Sequence, residues 1–179
     1  MRPFAVFLAV FAIAICSCGG RIEQGAHPYG PINVCLIQEV CEVLTVAQAN
    51  EATGQDFVSS GSLATPSNPI GQSTCLFQAR QPGPGKSPPS LTLNFECPQN
   101  IANAEKQLAA SLSGGKGVVV DDVGDQAVWQ TFTPDLGPDF AGQLSVIVGT
   151  STFIVVIEQD TAPDVESAKT IARDVIANL

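Results

Sequence analysis

From Ser90 to Cys97 the chain reads Ser-Leu-Thr-Leu-Asn-Phe-Glu-Cys, with Leu91, Leu93, Phe95 and Cys97 at every second position. Period two belongs to a strand with one buried face, and no helix gathers these residues on one side. The run Ser73 to Ala79 (STCLFQA) behaves similarly, and QPGPGKSPP between the two can only be a turn or loop. The pair is therefore expected to form a hairpin, and the chain has to be built around an antiparallel sheet.

The remaining punctuation fills in the order. Thr45-Val-Ala-Gln48 is a capping box and Gly54 a stop, which predicts a first helix; residues 55–72, rich in Ser, Gly, Pro and Asn, read as a loop. Residues 99–112 return to helical spacing, with Ile101, Ala104, Leu108 and Leu112 on one stripe. Gly117 to Val123 and Gln126 to Phe132 read as strands, divided at Gly124-Asp125. A hairpin of Gln143 to Val148 with Thr152 to Glu158 follows, turning at Gly149-Thr150-Ser151. Thr161-Ala-Pro163-Asp164 then opens a last helix carrying Val165, Ala168, Ala172, Val175 and Leu179 on one face. The expected fold is α+β in the order α-β-β-α-β-β-β-α: a mainly antiparallel sheet of about five strands with helices packed on one face.

The N-terminus carries an address. Met1-Arg2 is followed by an uncharged apolar run from Phe4 to Ile15, then by small residues and two cysteines, AICSCGG. That is the layout of an export signal, and it is too short for a bilayer-spanning helix, which needs about 20 apolar residues. Ile15-Cys16-Ser17-Cys18 resembles the bacterial lipobox, with an aliphatic residue at −3 and a small one at −1 before the lipidated cysteine. Cys16 does not fit, because Ile15 would stand at its −1 position. The resemblance implies that residues 1–17 are removed and that Cys18 takes a thioether-linked diacylglyceryl group. At about 0.8 kcal/mol per buried CH₂, two or three acyl chains make such an anchor durable. The alternative is an ordinary secretory signal cut near Ala14. Residues 18–34, interrupted by Gly and Pro, then form the lipidated start and a tether, and residues 35–179 a single domain.

Cys35, Cys41, Cys75 and Cys97 remain in the exported part. An even number in such a chain reads as disulfides, with three pairings open. Their spacing does not match a zinc site, and the sole histidine, His27, lies in the tether. The net charge of −9 and the scatter of Arg80, Lys86, Lys106, Lys116, Lys169 and Arg173 argue against nucleic acid and against adhesion to anionic lipid by charge.

Cys41-Glu-Val-Leu-Thr45 with Ala47, then Cys75-Leu-Phe77, then Val123-Gly-Asp125-Gln-Ala127 before a closing hairpin and helix, resembles small bacterial lipoproteins carrying a domain of unknown function. These are common in actinobacteria, and their pattern is roughly C-x-L-L-T-x-A, C-x-Y/W and G-x-G-D-x-A. The chain departs from it at Phe77, at Asp122, where glycine is usual, and in its additional Cys35 and Cys97. The resemblance implies Cys41–Cys75 as one bridge, which leaves Cys35 with Cys97; a cross-strand Cys75–Cys97 bridge is the rival. It implies no activity.

Constellations for chemistry are sparse. Asp121-Asp122-Val-Gly-Asp125 is the densest carboxylate set, but it lacks EF-hand spacing and reads as a turn with Gly124 at positive φ. Ser113-Gly-Gly-Lys116-Gly fails as a phosphate loop, since no hydroxyl residue follows the lysine, and reads as a helix end. There is no G-x-S-x-G, no S-x-x-K and no histidine within the domain, so an enzyme would have to work with carboxylates among Glu96, Asp125, Asp139 and Glu158. Trp129 and Phe132 are either core or binding anchors. The expectation is a non-enzymatic cell-envelope lipoprotein, needing no cofactor or metal, with the membrane as partner through Cys18 and a binding or envelope-support role. The alternatives are a secreted carboxylate-dependent enzyme and a freely secreted binding or inhibitor protein.

Overall fold

The computed structural model describes residues 40–62, 73–80, 87–96, 101–113, 117–133 and 140–179. It is an α+β fold with helices α1 (Val46–Thr53), α2 (Ile101–Ser113) and α3 (Val165–Ala177). The strands are β1 (Phe57–Ser62), β2 (Ser73–Ala79), β3 (Ser90–Glu96), β4 (Gly117–Val119), β5 (Gln126–Phe132), β6 (Phe140–Val148) and β7 (Ser151–Gln159). They form one seven-stranded sheet in the order β1-β2-β3-β7-β6-β5-β4. Every pairing is antiparallel.

The expected antiparallel α+β architecture is present, with three corrections. Residues 57–62 are a strand, not loop; they pair with β2 around a shift in register between Phe57 and Ser59. The run from Gly117 is shorter than expected: β4 ends at Val119 and residues 121–125 turn into β5, and the sheet has seven strands where about five were expected. The helices do not share one face. α1 and α3 pack against each other on the main core. α2 lies on the opposite face, where Ala104 and Leu108 meet Val128 and Ile147.

The strand register explains both faces. One row of side chains runs Cys75, Leu93, Val155, Leu144 and Trp129 across β2, β3, β7, β6 and β5. All of them are buried in the main core with Val40, Leu44, Ile171 and Val175. The intervening positions point to the α2 side, giving a row Asn94, Ile154, Ser145 and Val128. α2 crosses from β3 to the far edge strand β4, so it covers only part of this second face.

Local chemistry sets the element ends. Thr45 caps α1 as expected: its hydroxyl accepts from the Gln48 N–H, and the Gln48 side chain accepts from the Thr45 N–H. Gly54 ends the helix in the left-handed region. At α3 the cap is Asp164, whose carboxylate accepts from the Glu166 N–H. Cys41 and Cys75 are disulfide-bonded, with Cα atoms 5.2 Å apart, which ties the segment before α1 to the β2 end of the core row. This excludes the Cys75–Cys97 rival. Cys18, Cys35, Cys97 and the whole of residues 1–39 lie outside the described residues.

Candidate functional site

The sequence singled out the aspartate turn, and its role here is structural. Gly124 has φ +61° and Asp122 has φ +67°, so both hold the left-handed conformation that favours glycine. A Cβ at Gly124 would come within 2.5 Å of the Ile147 carbonyl oxygen. Asp125 uses this close approach twice. Its N–H donates to the Ile147 carbonyl at 2.8 Å, and its carboxylate accepts the Gly149 N–H at 2.7 Å. The motif therefore clamps the β4–β5 turn onto the β6–β7 turn. Among the described residues, no group of three or more His, Cys, Asp or Glu side chains is placed to hold a metal ion.

The other candidates also find places. Trp129 is core, with its indole over Gly142, where a Cβ would lie 2.1 Å from the ring. Phe132 and Phe140 are partly exposed. Glu96 and Glu158 both stand on the β3–β7 ladder, but Glu96 is opposite Thr152 and Glu158 opposite Ser90. Six residue steps along a strand separate those positions by roughly 20 Å, so the two carboxylates share no reacting centre. Ser90 donates to Glu158 at 3.0 Å. Asp139 lies outside the described residues.

What the sequence did not reveal is a cleft under the flank of α2. It has a volume of about 130 Å³ and is lined by Glu96, Gln107, Leu108, Ser111, Gln143, Ser145, Thr152 and Ile154. β3, β6 and β7 supply its floor by their shared register, and α2 supplies the wall. The polar groups are amides, hydroxyls and one carboxylate, and no lining residue is basic. Gln143 donates from its amide nitrogen to the Ser145 hydroxyl at 3.1 Å. Thr152 is 1% exposed, and its hydroxyl finds no hydrogen-bond partner among the described residues. The sequence did carry a signal that this face is covered, though none for the cleft: Val146-Ile147-Val148 and Phe153 to Ile157 are continuous apolar runs of the kind buried on both faces.

Comparison with known proteins finds no matching family model, no matching curated protein and no matching solved structure. No helix among the described residues is long and apolar enough to cross a membrane.

Proposed function

We propose that the chain is a cell-envelope lipoprotein, held on the extracytoplasmic side of a bacterial membrane through lipid on Cys18, whose domain binds rather than catalyses. The observation that carries this reading is the Cys41–Cys75 disulfide standing behind a lipobox-like N-terminus. A structural disulfide belongs to an oxidising compartment, and the apolar run from Phe4 to Ile15 is the means of reaching one. The geometry supports a binding role: among the described residues, Glu96 and Glu158 stand far apart on the β3–β7 ladder, and Asp125 and Glu158 are engaged by Gly149 and Ser90. The cleft beneath α2 offers instead amides and hydroxyls beside Leu108 and Ile154, a lining suited to recognition.

Fractionation tests the anchor. The full chain expressed in a bacterium is expected in the membrane fraction and to partition into detergent, while Cys18→Ser is expected to lose both properties. A Cys18→Ser protein that still fractionates with membranes would contradict attachment by lipid.

A further inference from the structure

The floor of the α2 cleft breaks the rule that governs the rest of that face. Where α2 seals the sheet, the residues beneath it are Val128 and Ile147. One step across the ladder the same face carries Ser145 and Thr152, both buried, and Gln143 beyond them. Valine at Ser145 or Thr152 would extend the apolar seal. Thr152 is the clearer case, because valine has its shape without the unpartnered hydroxyl. Polar groups kept where apolar ones would give a more stable fold mark a place selected for something other than stability.

We infer that this cleft, taken as the binding site of the function proposed above, holds one uncharged sugar ring or cyclic polyol, its hydroxyls on Gln107, Ser111, Gln143 and Ser145 and its C–H face on Leu108 and Ile154. The size suits one face of such a ring, with the rest left in solvent: an enclosed cavity of about 150 Å³ is filled by an unsubstituted six-membered ring, and this cleft measures about 130 Å³ and opens to solvent. Charge fits as well. The lining has no cation to hold a phosphate, sulfate or carboxylate, and the chain's charge of −9 repels anions. Amides and hydroxyls each donate and accept, as a ring bearing hydroxyls requires. The ring can come from a free monosaccharide or from the end of a glycan; the chemistry at the cleft is shared.

The test uses the full-length protein extracted from membranes in detergent. Saturation-transfer NMR is run with neutral hexoses, pentoses, N-acetylhexosamines and inositol, with glucuronate as the anionic control, and with disaccharides ending in any ring that binds. At least one neutral ring is expected to bind saturably and to slow hydrogen exchange in residues 101–113 and 143–154. Glucuronate is expected to bind at least about tenfold more weakly than the ring that binds, and Gln143→Leu to weaken that ring by about tenfold, the loss for one hydrogen bond. Thr152→Val is expected to raise the thermal midpoint. Equal binding of monosaccharide and disaccharide identifies free sugar as the source, and tighter binding of the disaccharide identifies a glycan end. Absence of saturable binding across the panel, binding that survives Gln143→Leu unchanged, or glucuronate binding as well as the neutral ring would overturn the inference. The intact mass of the same sample reports acylation at Cys18, so failure of the cleft and failure of the anchor are read separately.

Discussion

Asp122 illustrates how a single residue carries structural information. Its φ of +67° lies in the left-handed region that glycine adopts most readily. Aspartate tolerates the left-handed region better than most residues, whereas a β-branched side chain does not. Asp122→Val is therefore expected to destabilise the fold by about 1–2 kcal/mol in denaturant titration, and Asp122→Gly to leave it within about 1 kcal/mol. Asp125 is the more consequential neighbour, since its carboxylate accepts the Gly149 N–H across the sheet end. Asp125→Ala removes a charged acceptor and is expected to cost about 1.5–3 kcal/mol, with Asp125→Asn costing less because one oxygen remains. Gly142 is needed for room: a methyl there meets the Trp129 ring at 2.1 Å and Pro163 at 3.1 Å. Gly142→Ala is expected to lower stability by about 1–3 kcal/mol, with the loss reduced in a Trp129→Phe background if the ring contact is the cause.

At the scale of elements, what could be read in the sequence depended on local punctuation. The Thr45–Gln48 box, Gly54 and the alternation of Ser90 to Cys97 are local signals, and α1, the β2–β3 hairpin and the β6–β7 hairpin occur where those signals place them. β1 was hidden because its sequence, FVSSGS, buries Phe57 but leaves Val58 to Gly61 exposed, and it takes its strand form from pairing with β2. That pairing is assisted from α1, whose Asn50 side chain both donates to the Phe57 carbonyl and accepts its N–H. The side taken by α2 depends on which face of the sheet remains open after α1 and α3 have docked, a tertiary matter that no stripe on α2 encodes. The cleft is harder still to foresee. Glu96, Gln107, Gln143, Ser145 and Thr152 come from four elements, β3, α2, β6 and β7, and meet only through the β3–β7–β6 register and the docking of α2 on it. The same level gives a test of the disulfide. It closes a loop between residues 34 apart in sequence, and its removal by Cys41→Ser with Cys75→Ala is expected to cost about 4 kcal/mol on the chain-entropy account. Equilibrium unfolding of the double variant checks this.

On the function proposed above, the whole molecule joins an N-terminal lipid anchor to an α+β domain tied by the Cys41–Cys75 disulfide. A sheet covered on one face by α1 and α3 and partly on the other by α2 leaves a polar-lined opening beside the helix. A lipid on Cys18 and a short tether would hold that opening near a membrane surface, where the acidic charge favours solubility over adsorption to anionic lipid. The measurement that tests this account most directly is a non-reducing peptide mass map of the protein made in its own cell and extracted from membranes. The account predicts a mature chain starting at Cys18 with an acylated N-terminal peptide, together with a linked Cys41–Cys75 peptide pair. A mature chain that begins near Ile15 and carries no lipid would contradict it.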